Sequence, residues 1–237
     1  MLCNIAQHTC LTLGIKTVVF SLETSPNKLI DRIAASDCDI LARKIQAEPL
    51  SEREFSRVSA FGLKLAKDNL RIESLFDCDQ ICSAIARHAD MGFRLFFVDY
   101  IQIVNASNRS RNEPRTYAIG SVATALKQAA IKHNVCVVAL AQLKRPDDEC
   151  SLPSENDIAD SDQIFRDADL LWLLHRPDRI QKPTDGLVIV AKNKDGETGV
   201  VQMNYTPHFL RWEERHSRSE CPITPSEAVS RPITIRR

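Results

Sequence analysis

Three short apolar runs constrain the fold most: Lys16–Leu22 (KTVVFSL), Arg94–Val98 (RLFFV) and Val135–Ala141 (VCVVALA). Each is apolar without alternation and rich in β-branched or aromatic residues. A strand with one wet face would alternate, so these are expected to be strands buried on both faces. Between them lie segments of helical period. Ser25-Pro26 opens one, with Ser as N-cap and Pro at the first helical position, expected to run to about Lys44. Ser51 and Glu54 have capping-box spacing and start another, to about Asp68. Further helices are expected over 78–90 and 116–133, the latter with Ile119, Val122, Ala123, Leu126 and Ala130 at helical spacing. Residues 1–13 have helical spacing without an N-cap. Buried strands alternating with helices predict an α/β fold, a mostly parallel sheet covered on both faces.

The rest of the chain fits around that sheet. A short helix near 158–166 leads to a strand at Leu170–Leu174. Leu187–Ala191 and Val200–Asn204 are expected to pair as a hairpin around Asp195-Gly196. From about Glu214 the chain is rich in Ser, Pro and Arg without periodicity. The expected division is one domain over 1–213 and a disordered tail over 214–237.

Net charge is zero, with 31 basic and 31 acidic residues, so any nucleic-acid contact must come from a local patch. Eight cysteines occur with no CxxC pair, which suggests free thiols in a reducing cytoplasm. No apolar run reaches the roughly 18 residues of a membrane span, and no secretory signal is visible.

In parallel sheets, ligands bind beyond the carboxyl ends of the strands. Glu23, Asp99 and Gln142 stand at those ends. Each alone is weak evidence, since any strand ends in something polar. Their flanking residues are more specific. Phe20-Ser21-Leu22-Glu23-Thr24-Ser25 resembles the FSLEMS motif of DnaB-type hexameric helicases, a branch of the RecA-like ATPases. Phe97-Val98-Asp99-Tyr100-Ile101-Gln102 resembles their Walker B segment, VIDYLQ. Val138–Arg145 resembles ALSQLNR, Asp157–Asp169 resembles DLRES…DAD, and Ala191–Gly196 resembles GKQRNG. The five motifs follow the family order across residues 1–213.

The resemblance implies a RecA-like motor domain that uses ATP and Mg²⁺ for 5′–3′ unwinding. It assigns Asp99 to Mg²⁺, Glu23 to the attacking water as general base, and Gln142 to sensing the γ-phosphate. Lys192 and Lys194 would reach a neighbouring subunit's nucleotide. The family usually has Arg where Lys194 stands, and Lys keeps the charge but loses the bidentate fork. The implied partners are single-stranded DNA, five further copies in a homo-hexamer, and a primase or helicase loader. The implied location is the cytoplasm, with no membrane.

Arg109, Arg111 and Arg115 lie in a polar loop whose family counterpart contacts the strand backbone. Lys144 and Arg145 would contribute from a second loop, which is acidic here at Asp147, Asp148, Glu149 and Glu155.

One motif is missing: no GxxxxGK[ST] segment occurs in the 237 residues. In the family it immediately precedes the helix whose Asn4-Ile5-Ala6 matches LNIA. Such a loop supplies backbone amides and a Lys to the phosphates. The expectation is an incomplete copy of an active helicase. Two alternatives stay open: a RecA-like ATPase that remodels DNA without unwinding a fork, and a non-catalytic DNA-binding or oligomerisation subunit.

Overall fold

The computed structural model describes residues 1–67, 69–106, 114–144, 151–158, 162–178 and 180–215. Two four-stranded sheets organise it. The first is wholly parallel, with β1 (Thr17–Ser21), β2 (Leu70–Glu73), β3 (Leu95–Asp99) and β4 (Cys136–Ala139) in the order β2-β1-β3-β4.

Its two central strands explain the continuous apolar runs. Val18, Phe20, Phe96 and Val98 point into one core and Val19 and Phe97 into another, all at 1% exposure or less. The first core is closed by α5 (Cys78–Asp90) through Ile81 and Ile85, and by α6 (Arg115–His133) through Ile119, Val122 and Leu126. The opposite core is closed by α1 (Leu2–Gln7), which continues as a π-helical turn to Thr12, and by Leu29 of α2 (Pro26–Cys38). Burying each such phenylalanine is worth about 1.5–3 kcal/mol, so these strands anchor the domain.

Helix ends follow local chemistry. In α4 (Glu52–Leu65), the Ser51 N–H donates to Glu54 Oε2 at 2.8 Å and the Glu54 N–H donates to Ser51 Oγ at 3.4 Å, the expected capping box. Asp77 caps α5 by accepting from the Asp79 and Gln80 amides at 3.0 and 3.2 Å. The helix expected to run to Lys44 instead stops at Cys38, because Asp39 turns left-handed (φ 50°) and the chain restarts as α3 (Ala42–Ala47). An Asp tolerates that region better than most residues. Its carboxylate accepts from Arg211, and Arg211 also donates to the Ser36 carbonyl.

The second sheet is antiparallel, β5 (Leu170–His175), β6 (Asp185–Asn193), β7 (Gly199–Thr206) and β8 (Arg211–Glu214) in chain order. The expected hairpin is its centre. Two strands were not expected. β2 is only four residues, LRIE, and β8 is RWEE. Both are too short and polar to carry a period. β8 includes Glu214, and residues 216–237 lie outside the described residues.

Segments flanking the strands of the second sheet are tied to the first sheet's helices. The Thr124 hydroxyl donates to Asp167 Oδ2 at 2.6 Å, and the Ala42 amide donates to the His208 carbonyl at 3.1 Å. The six described cysteines are all free.

Candidate nucleotide and nucleic-acid site

Parallel register sets the rim. Ser21 lies opposite Asp99, and Val98 lies opposite Ala139, so β1, β3 and β4 end at nearly one level. The Leu22 amide extends the ladder to the Asp99 carbonyl at 3.1 Å, and the Ile101 amide reaches the Leu140 carbonyl at 2.9 Å. Glu23, Asp99 and Gln142 are therefore delivered to one edge by three neighbouring strands. Glu23 and Gln142 are exposed and Asp99 is half-buried. Burial, and then the nearby Glu23 carboxylate, raise the Asp99 pKa above its ordinary range, while Arg32 of α2 opposes the shift. The two carboxylates thus sense each other across the strand ends.

This donor set fits Mg²⁺. Among the described residues no group of three or more His, Cys, Asp or Glu side chains could cage a metal. Mg²⁺ needs no such cage, because it keeps several waters and takes one or two carboxylates beside substrate phosphates.

Gln142 is held by Gln102, to which the sequence motifs assign no role. Gln102 is 7% exposed. Its Nε2 donates to the Gln142 carbonyl at 3.3 Å, and its Oε1 accepts from the Gln142 amide at 3.2 Å. The available signal was one amide inside the apolar stretch Ile101–Val104.

Lys192 and Lys194 lie at the end of β6 and are engaged within the chain. Lys192 Nζ donates to the Phe165 carbonyl at 2.5 Å and the Arg166 carbonyl at 3.1 Å, and sits 4.7 Å from the Phe165 ring centre. Desolvation, then Lys194, lowers its pKa. Lys194 Nζ contacts Asp169 Oδ1 at 2.7 Å, and Lys127 of α6 contacts the other oxygen. Hydrogen bonds from Lys127, then Lys194, hold Asp169 at a pKa of about 2. Asp169 was visible only as the last residue of the DAD motif. Its pairing with Lys127, 42 positions away, has no sequence signal.

Of the residues expected to meet DNA, Arg115 is exposed at the start of α6 and donates to the Gln102 carbonyl at 3.5 Å. Lys144 is exposed and donates to the Asn156 carbonyl at 3.1 Å. Arg109, Arg111 and Arg145 lie outside the described residues. No described helix is long and apolar enough to cross a membrane.

Comparison with known proteins identifies the family of the chain. The family model for the DnaB-like helicase C terminal domain matches residues 1–214. The chain is 26% identical over 233 residues to the replicative DNA helicase DnaB of Geobacillus stearothermophilus, covering 92% of this chain and 51% of that protein. It is 30% identical over 206 residues to a probable plasmid replicative DNA helicase of Chlamydia psittaci, covering 81% and 43%. The chain thus spans about half the length of the curated relatives it matches.

Two solved structures share the fold. One is an isolated ATPase domain, with TM-score 0.82 at 23% identity, covering 91% of this chain and 79% of that one. The other is a DnaB-like replicative helicase described with its interactions with primase, with TM-score 0.80 at 24% identity, covering 89% and 53%. The fold is RecA-like, and the chain belongs to the DnaB-like helicase C-terminal domain family.

Proposed function

We propose that this chain is the motor domain of an ATP-driven replicative DNA helicase. The observation that carries the reading is the convergence of Glu23, Asp99 and Gln142 on one rim of the parallel sheet. Asp99 would hold Mg²⁺, and the ion would supply charge neutralisation at the phosphates when bound. Glu23, exposed beside it, orients the attacking water and takes its proton. Gln142 hydrogen-bonds the terminal phosphate from the end of β4.

Lys192 and Lys194 serve the nucleotide of the next subunit in a homo-hexameric ring, where a cation stabilises charge on the transferring group. To do so, Lys194 must exchange Asp169 for phosphate. Arg109, Arg111, Arg115, Lys144 and Arg145 meet the backbone of single-stranded DNA, a contact that needs no sequence information. This reading places the chain in the cytoplasm, with a primase or loader as further partner and unwinding running 5′–3′.

One observation favours a second reading. The 237 residues contain no GxxxxGK[ST] loop, so they do not themselves supply the amide nest and lysine that bind phosphate. A non-catalytic subunit would contribute DNA contacts and subunit contacts to a ring and leave hydrolysis to other subunits.

Mixing the chain with an intact family helicase tests both readings. Co-assembly that lowers unwinding, with a further loss of ATPase for Lys192→Ala/Lys194→Ala, is expected under the motor reading. Co-assembly with unchanged turnover for that double variant favours the non-catalytic subunit. No co-assembly removes both.

A further inference from the structure

We propose that Cys78 and Cys82, one turn apart at the start of α5, form a redox-active thiol pair: Cys82 meets a peroxide, and Cys78 closes a disulfide within the helix. None of the five motifs includes either residue.

Cys78 is the first residue of α5 and Cys82 stands four positions on, so helical geometry stacks the two side chains on one face. The core that covers β1 and β3 sets how far water reaches each. Cys78 is 3% exposed and belongs to that core, while Cys82 packs on its margin and is half-buried. The reachable thiol is thus backed by a buried one.

The Cys78 thiol donates to the Cys82 sulfur, and this bond lowers the Cys82 pKa against burial and the Asp79 carboxylate. A hydrogen bond to the charged form favours it. The other described cysteines go the opposite way. Cys78 is raised by its bond to Cys82, then by burial. Desolvation raises Cys3, Cys38 and even the exposed edge residue Cys136, and raises Cys10 to about 11. Thiolate character and access select the thiol that attacks an oxidant, and Cys82 combines them.

The Cys82 thiolate attacks one oxygen of hydrogen peroxide. The O–O bond breaks, the leaving hydroxide takes a proton to become water, and Cys82 becomes a sulfenic acid. The Cys78 sulfur then attacks the Cys82 sulfur as its own proton is lost. The S–O bond breaks, the oxygen leaves as a second water, and a disulfide remains. Two thiols are oxidised and one peroxide is reduced.

Closure distorts the helix. Side chains at this spacing hold their Cβ atoms about 5–6 Å apart, whereas a disulfide needs about 3.5–4.5 Å. The first turn must therefore tighten. That turn is held by the Asp77 cap, by the Cys78 amide donating to the Asn105 carbonyl at 3.0 Å, and by the Asn105 amide donating to the Phe76 carbonyl at 2.7 Å. A strained disulfide is the more readily reduced, so the bond is transient and the free thiols are the resting state.

The test is peptide mapping by mass spectrometry after brief treatment of the full chain with hydrogen peroxide, followed by alkylation of the remaining thiols. The peptide carrying Cys78 and Cys82 is expected to lose two hydrogens and escape alkylation, and dithiothreitol should restore both thiols. Cys82→Ser should leave Cys78 reduced. Cys78→Ala should stop at a Cys82 sulfenic acid, trapped by dimedone. Hydrogen exchange at residues 76–82 and 105 should quicken in the oxidised chain. A thermal melt verifies folding, and wild type with Cys82→Ser decides the matter even if the buried Cys78→Ala change impairs it.

Both thiols still alkylated after peroxide treatment, or a wild-type Cys82 that passes to sulfinic acid without a disulfide, would overturn the pairing. Oxidation of Cys78 at an undiminished rate in Cys82→Ser would overturn the assignment of the attacking thiol. Unchanged exchange after oxidation would overturn the tightened turn.

Discussion

Gln102 and Gln142 are joined by two hydrogen bonds, side-chain amide to carbonyl at 3.3 Å and backbone amide to side-chain oxygen at 3.2 Å. The pair continues the line of the β3–β4 ladder beyond the Ile101 amide and Leu140 carbonyl, using a side chain where a backbone would otherwise stand. It fixes the backbone from which the proposed phosphate sensor projects. Because Arg115 donates to the Gln102 carbonyl, the same residue also touches the first turn of α6.

Gln102→Ala should destabilise the chain by about 1–3 kcal/mol, because it removes both bonds and leaves Gln142 backbone groups short of partners. Gln102→Glu should cost at least as much, since a carboxylate cannot donate to the Gln142 carbonyl. Urea denaturation measures both. An unchanged midpoint for Gln102→Ala would show that water replaces the side chain at no cost.

Asp99→Asn should raise the melting temperature at neutral pH. Folding raises the Asp99 pKa through burial and the Glu23 carboxylate, so the ionised form is disfavoured in the native state. A neutral amide removes that penalty. The gain should shrink as pH falls toward the range where Asp99 itself takes a proton. Mg²⁺ should shift the melt of wild type more than that of the variant. A lower melting temperature for Asp99→Asn at pH 7 would contradict this.

Asp169, between Lys127 and Lys194, gives the opposite sign. Its pKa falls to about 2 in the folded chain, against an ordinary carboxylate value of about 3.9. Its contribution is therefore fully present above about pH 4 and is lost as pH falls through about 2. The group is half-exposed, so solvent screening keeps the effect small and salt reduces it. Asp169→Asn should flatten the acid limb of a melting-temperature profile recorded from pH 5 to pH 2. A profile parallel to wild type would mean that the two lysines do not hold the carboxylate in solution.

Mg-ATP should bind these 237 residues weakly, with Kd no tighter than about 1 mM, corresponding to about −4 kcal/mol. Glu23, Asp99 and Gln142 offer two anions and one amide, and no GxxxxGK[ST] loop in the sequence cradles the phosphates. Titration calorimetry measures this directly. Micromolar affinity that requires Mg²⁺ would show that another part of the chain supplies the phosphate contacts.

The sequence by itself determined the local elements and the rim. VVFS and LFFV read as strands covered on both faces, because they are short, β-branched or aromatic, and leave no wet face among their residues. Ser51 and Glu54 marked a helix start, because capping chemistry acts within four residues. Glu23, Asp99 and Gln142 stood where apolar runs end, and the motifs around them, by their resemblance to the family, singled them out.

Tertiary structure alone decided the rest. β2 and β8 exist because neighbouring strands offer them hydrogen bonds, not because their residues show a period. The break at Asp39 coincides with Arg211, 172 positions away. Lys127 meets Asp169, and Gln102 meets Gln142, through contacts separated by about forty residues. Hydrophobic period and capping are short-range and can be read along the chain. A buried amide or a shared carboxylate finds its partner only after the sheet has brought distant segments together.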